Sequence, residues 1–335
     1  MASVLIAVKL GSSTTTIYRQ GDGLVLREPS LIAARGTGKN REVLAVGYEA
    51  ESLAGRTDDD IQVVSPIVEG TVNNAELATL MLRGFVHKVC PARLFRPSIR
   101  ALVCLPIGAT AAQQKDMQKI CYQAGISDVM FLPAIVCTAI GLGLDIGSSF
   151  GKLVVNLGGG CTNIAVIANN NIINGITVSI GGTKLNTAIE KYILEKYNLI
   201  IGSGVAERIK QEVASLFPTY SATTSVDGVS ADSRTTRSIA ISSAEIYPIM
   251  DQYYSKICQA ILSVVNSCSP DIISDIFKEG GYFCGSQTTY PGVDRYLKGK
   301  LNMQVHLSEI SKTDIWGAGK LLDDPVMLKK LLTNN

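Results

Sequence analysis

Two short turns carry the residue types that hold phosphate. Gly11-Ser12-Ser13 ends the run Ala7-Val8-Lys9-Leu10, and Gly158-Gly159-Gly160 ends Val154-Val155-Asn156-Leu157. A phosphate cradle needs backbone N–H groups that come close to the anion, and glycine or small residues leave them accessible. Phosphoryl transfer asks for more, because it proceeds by positioning and charge neutralisation: acids must hold a hydrated cation and orient the attacking water. The residues standing before the two turns are Lys9 and Asn156, and neither is an acid. The only histidines, His87 and His306, lie far from both turns in sequence, so no replacement base is evident.

The two turns sit in matching surroundings. Thr15 and Ile17 follow the first as Thr162 and Ile164 follow the second. Each copy is an apolar run, a small-residue turn and a second β-prone run, which predicts a hairpin. Two equivalent hairpins imply two related halves. Helical patterns separate the strands, as in α/β architecture. One runs from Ala111 to Ala124 and closes on Gly125, and a second from Lys184 to Tyr197 places Leu185, Ala188, Ile189, Tyr192 and Ile193 on one face. Ser242 followed by Glu245 is a capping box opening a long helix with the stripe Ile246, Ile249, Met250, Tyr253, Ile257, Ile261 and Val264, and Pro248 is expected in its first turn. Residues 34–77 and 218–239 read as peripheral insertions or loops.

Composition narrows the class. The 335 residues are 46% hydrophobic, enough for two domains each with its own core. Thirty-one Lys and Arg against 29 Asp and Glu leave +2, which gives no general field for nucleic acid. The eight cysteines form no C-x-x-C pair and lie mostly in apolar runs, so they are expected as buried, reduced thiols of a cytosolic protein. Val4 to Val8 is apolar but too short for a membrane span, and is expected as a buried strand.

The run Phe95-Arg96-Pro97-Ser98-Ile99-Arg100, leading into Leu102-Val103-Cys104-Leu105-Pro106-Ile107-Gly108-Ala109-Thr110, resembles the MreB family of bacterial actins along its length. Glu28-Pro29-Ser30, Val46-Gly47, Gly55-Arg56-Thr57, Ala139-Ile140-Gly141, Val178-Ser179-Ile180-Gly181-Gly182 and Ala206-Glu207-Arg208-Ile209-Lys210 follow in the family's order. The resemblance covers nearly the whole chain. It implies the actin and heat-shock-chaperone fold: α/β, two lobes around a nucleotide cleft, with the two turns facing each other across it. Lobe I would take 1–148, with an outer subdomain near 34–77. Lobe II would take 149–314, with an outer subdomain near 183–245, and 315–335 would return to lobe I.

The resemblance also shows where this chain departs. The family's aspartates before the two turns are Lys9 and Asn156 here, its glutamate after the second turn is Asn163, and its threonine after the glycines is Cys161. The glutamate similar to the water-orienting residue is Pro133. Two like unit charges about 4 Å apart repel by roughly 4 kcal/mol at an effective dielectric near 20, so Lys9 and a magnesium ion should exclude each other. Lys9 either neutralises a phosphate directly or is a salt-bridged or solvated strand-end lysine. The resemblance implies ATP or ADP as ligand, held by Lys9, Gly11, Ser12, Ser13, Gly158, Gly159, Gly160, Glu207, Lys210, Gly285 and Ser286. The substitutions argue against magnesium and leave no catalytic residue. Glu207 and Lys210 match helix residues that contact ribose and adenine in related ATPases, although their spacing also suits a surface pair. The family's triple glycine is Gly285-Ser286-Gln287, whose side chains would crowd the base.

The segment Cys90-Pro91-Ala92-Arg93-Leu94-Phe95-Arg96-Pro97 is expected as an exposed loop. Arg93, Arg96 and Arg100 bracket Leu94 and Phe95, and the position is similar to the membrane-insertion loop of some MreB proteins; an apolar tip with a basic collar suits an anionic leaflet. Three functions stand open: a membrane-peripheral cytoplasmic scaffold that polymerises with itself and with MreB paralogues, a monomeric pseudo-ATPase acting as a chaperone-like regulator, and an active ATPase using other residues.

Overall fold

The computed structural model describes residues 3–36, 41–55, 60–91, 98–308 and 313–334. They form two compact units, one of residues 1–150, 167–177 and 312–335, the other of residues 151–166 and 178–311.

The first unit opens with β1 (Ser3–Leu10), β2 (Thr14–Arg19), β3 (Gly23–Pro29), β4 (Ile32–Arg35), β5 (Glu42–Val46), α1 (Tyr48–Leu53), β6 (Ile61–Val64), β7 (Ile67–Val68) and β8 (Thr71–Val72). It continues through α2 (Ala75–Val89), β9 (Ser98–Leu105), α3 (Ala111–Gln123), β10 (Asp128–Pro133) and α4 (Ala134–Gly141). Its main sheet has the order β10-β9-β1-β2-β3, with β10, β9 and β1 parallel and the rest antiparallel. Alternation along β1 sends Ile6, Val8 and Leu10 to one face. There they pack with Ile17, Val103, Met81, Leu82, Phe85 and Ile120 in a closed apolar core. Phe85 has no exposed surface, so truncating it to alanine is expected to cost about 3–5 kcal/mol.

The chain continues through β11 (Lys152–Leu157), β12 (Thr162–Ala168), β13 (Asn171–Val178), α5 (Gly182–Tyr197), β14 (Leu199–Ile200), α6 (Ser203–Val213), β15 (Thr223–Ser230), β16 (Thr236–Ser242) and α7 (Ser243–Asn266), and from β13 only Val178 is counted with the second unit. Then come α8 (Pro270–Glu279), β17 (Gly281–Cys284), a 3-10 turn at Ser286–Thr288, α9 (Val293–Leu301) and β18 (Val305–Leu307). A second five-stranded sheet has the order β13-β12-β11-β17-β18. The chain ends with α10 (Thr313–Asp323) and α11 (Pro325–Asn334), which belong to the first unit.

Both expected hairpins form, and their turns close alike: Gly11 N–H donates to Thr14 O at 3.2 Å, and Gly158 N–H to Cys161 O at 3.0 Å. Thr15, Ile17, Thr162 and Ile164 are all fully buried, so the echo in sequence is an echo in structure. Thr110 and Gln113 cap α3 reciprocally, and Gly125 follows it at φ 99. Glu245 accepts the Ser242 N–H at 2.9 Å, as the capping box requires.

Several expectations are corrected. Pro248 is the sixth residue of α7, in its second turn; the N–H it lacks would have served Ala244, which is exposed and open to water. On α5 the inward face is Gly182, Leu185, Asn186, Ile189 and Ile193, while Ala188 is exposed, because the buried stripe passes through Asn186 instead. Residues 218–239 are not a loop: they supply most of the antiparallel β15–β16 pair, in which Thr224 and Val226 point inward between exposed neighbours. Residues 34–77 likewise hold strands, with a sheet of order β5-β4-β6.

Candidate functional site

In the first unit the site is built at the ends of parallel strands. Lys9 and Thr16 are direct partners across β1 and β2, so they share the face opposite the apolar core. Helices α4 and α10 cover that face. They meet backbone to backbone: a methyl added at Gly317 would lie 2.6 Å from Gly141 N and closer still to Cys137 O, and one at Gly141 would meet Thr313 in the same way. This close approach fixes the start of α10, where Asp314 is almost fully buried. Its carboxylate forms an ion pair with the Lys9 ammonium and also accepts the Ile315 N–H at 2.7 Å. Next to them the thiols of Cys104 and Cys137 lie 3.8 Å apart; that contact first, and burial second, pushes the Cys137 thiol well up.

The turn above this floor keeps its donors. Ser12 O accepts from the Ser65 hydroxyl, Ser12 Oγ accepts the Gly70 N–H at 2.8 Å, and Ser13 O accepts the Ser30 N–H at 3.0 Å. In the second unit Gly158 O and Gly159 O accept the N–H groups of Gly182 and Thr183, at 3.2 and 2.8 Å. The turn carbonyls are thus turned into the protein. Among the described residues, the N–H groups of Ser12, Ser13, Gly159 and Gly160 are given no acceptor by the surrounding chain. Successive backbone amides left without an acceptor at a turn can form an anion-binding nest.

The replaced positions are placed as follows. Pro133 ends β10 and caps α4 with φ −60° and ψ 129°, and has no side chain to activate water. Asn156 is buried beside Gly285, whose φ of 102° and closeness to Leu157 exclude a side chain there. Asn163 Nδ2 reaches Cys161 Sγ at 3.7 Å. Sequence reasoning missed Asp314, whose one local signal is the helix-start pattern of Thr313-Asp314 ahead of an apolar run.

Glu207 and Lys210 are not a surface pair. Lys210 is fully buried, donating to Glu207 at 2.8 Å and to Gly182 O at 3.1 Å; burial pulls its ammonium below the usual lysine range, and Glu207 acts the other way. Glu207 also accepts from Asn186 at 3.1 Å. Gln287 is buried against Gly182, with Ser286 and Tyr290 bonded to its amide, so the Gly285-Ser286-Gln287 stretch is filled by side chain. Burial first, then the neighbouring Tyr290 and Cys161, pushes the Tyr253 phenol far up.

An ammonium sits at the floor of the first turn, and among the described residues no group of three or more His, Cys, Asp and Glu gathers to hold a metal. The donors just described suit an anion. His87 lies on α2, and His306 Nε2 is engaged with Glu279 O at 2.9 Å. Arg93, Leu94, Phe95 and Arg96 lie outside the described residues. Among the described residues no helix is long and apolar enough to cross a membrane.

The crystal structure of MreB 5 of Spiroplasma citri bound to AMPPNP is similar to this chain at a TM-score of 0.90 and 25% identity, over 100% of this chain and 99% of that one. The MamK double helical filament shares the fold at a TM-score of 0.79 and 18% identity, over 96% and 99%. The fold is therefore the actin-like ATPase fold, with a glycine turn in each related hairpin. A family model described as MreB/Mbl protein matches residues 3–330. The cell shape-determining protein MreB of Escherichia coli (strain K12) is 32% identical over 322 residues, 95% of this chain and 93% of that protein. The cell shape-determining protein Mbl of Bacillus subtilis (strain 168) is 32% identical over 328 residues, 97% of each. The chain belongs to the MreB/Mbl family.

Proposed function

We propose that this protein is a cytoskeletal member of its family that binds an adenine nucleotide and does not turn it over. The observation that carries the reading is the Lys9–Asp314 ion pair: a cation, already matched by a buried acid, occupies the floor where a hydrated metal would have to sit. The amides left without an acceptor at the two glycine turns support retained binding, and the relative solved with AMPPNP supports an adenine nucleotide. Pro133, Asn156 and Asn163 remove the groups that would orient and activate water.

A role in cell shape rests on the names of the MreB and Mbl relatives, and self-association into protofilaments on membership of the family. Contact with the inner face of the membrane rests on Arg93, Leu94, Phe95 and Arg96 in the segment 91–97. Two basic residues contribute about 1 kcal/mol each near an anionic surface and two apolar side chains roughly 3–5 kcal/mol together, so one copy binds weakly and a filament binds by avidity. Sedimentation of purified protein with and without ATP tests the scaffold reading. Pelleting is the expected result, and a monomer under every condition would favour a regulator that binds a partner protein.

A further inference from the structure

Lys9 has a neighbour whose polar group is unused. Thr16 sits directly across from Lys9 in the β1–β2 pair and is only 7% exposed, and among the described residues its Oγ1 is a buried atom with no hydrogen-bond partner. A buried hydroxyl without a partner carries a desolvation cost that folding does not recover, and such groups in native proteins are commonly satisfied by a ligand or water. An ammonium and a buried hydroxyl therefore lie side by side on one face of the hairpin whose turn carries Ser12 and Ser13. Asp314 balances the ammonium from α10, which the glycine contacts with α4 hold in place.

We infer that Lys9 and Thr16, with Asp314 as internal counter-ion, form a phosphate subsite that takes its anion without a divalent cation. The inference rests on the nucleotide-binding reading above and gives it a mechanism. Lys9 supplies as a fixed point charge what a metal supplies as a mobile one. Thr16 donates its hydroxyl proton to a phosphate oxygen, and the Ser12 and Ser13 amides complete the shell. Asp314 touches no ligand: it is a positioning residue that keeps the ammonium on the sheet face and keeps the empty site near neutral, so that binding needs no partner ion.

The test is calorimetry with ADP, inorganic pyrophosphate and adenosine as probes, each in excess EDTA and in excess magnesium, beside a thermal melt without ligand. The wild type is expected to bind ADP and pyrophosphate with affinities that agree within about threefold in the two buffers. A tenfold or greater tightening by magnesium would overturn the subsite while leaving nucleotide binding intact; no binding of ADP in either buffer would sink both. Adenosine bound as tightly as ADP would show that phosphate is not held at all.

Thr16→Val separates a ligand role from a structural one by opposite signs. Removing an unpartnered hydroxyl is expected to raise the melting midpoint of the empty protein by about 2 °C. It should also weaken pyrophosphate about tenfold, the effect of losing one hydrogen bond to a charged group. Unchanged pyrophosphate affinity in Thr16→Val would remove Thr16 from the site. Asp314→Asn, in which the ammonium is no longer balanced, should bind pyrophosphate more tightly at low salt and lose that gain at high salt. Weaker binding at low salt would contradict the counter-ion role.

Discussion

Gly317→Ala sets two effects against each other. In a helix interior, replacing glycine by alanine is intrinsically favourable by about 1 kcal/mol. At Gly317, however, the new methyl would lie 2.6 Å from Gly141 N and 2.7 Å from the carbonyl carbon of Cys137, where ordinary contact begins at 3.4 Å. Both neighbours are backbone, so no side chain can swing aside and α10 must back away from α4. Overpacking of this kind costs about 1–3 kcal/mol and more where backbone opposes backbone, so the net effect is a loss of roughly 2 kcal/mol. Gly299 in α9 is the control: nothing lies within 4 Å of its added methyl, and Gly299→Ala should stabilise by about 0.5–1 kcal/mol. Thermal melts of the two variants and the wild type read the difference, expected as a fall of roughly 4–8 °C for Gly317→Ala. Because Asp314 begins α10, the same variant should loosen nucleotide affinity. A Gly317→Ala melt that rises in step with Gly299→Ala would refute the packing that places Asp314 on Lys9.

Gly11→Ala and Gly158→Ala should behave as a pair, since the added methyl would sit 2.6 Å from Thr14 O in one and 2.7 Å from Cys161 O in the other. Each is expected to weaken ADP at least about tenfold by opening its turn, measured by calorimetry; a loss in only one would argue that the two turns are not equivalent. Lys9→Asp sets a second carboxylate beside Asp314 and should make ADP binding depend on magnesium, whereas Lys9→Ala should weaken ADP with no gain from magnesium. Assembled protein should float with anionic liposomes, and Leu94→Ser with Phe95→Ser should abolish flotation without lowering the melting midpoint. Unchanged flotation of that double variant would remove segment 91–97 from the membrane.

The parts of this fold that sequence made legible are those whose causes are local. A small-residue turn between two β-prone runs specifies a hairpin wherever it occurs, so both cradles could be read, as could the Thr110–Gln113 and Ser242–Glu245 caps. The β15–β16 pair was hidden because the exposed face of β15 carries Thr223, Ser225 and Asp227 and Gly228 interrupts the inward one; Thr224 and Val226 alone betray the alternation. Asn186 was missed on α5 because a polar residue rarely faces inward unless partners pay for it, and its partners Ser203 and Glu207 belong to another helix. Lys9 posed the largest difficulty. Whether it was solvated, ion-paired or bound to phosphate depended on Asp314, which is 305 residues away in sequence and reaches it only through the close contact of α4 and α10. Lys210 is the same case in the second unit: its spacing from Glu207 suggested a surface pair, and only the packing of α6 on α5 buries it.

Phosphate release from purified protein at saturating ATP, followed in parallel with nucleotide bound to the same sample, tests binding without turnover. Bound ATP or ADP by mass spectrometry is expected together with release at background, unchanged by magnesium. Sustained magnesium-dependent release would contradict the proposal, which rests on an ammonium at Lys9 and on the absence of an acid at Pro133, Asn156 and Asn163.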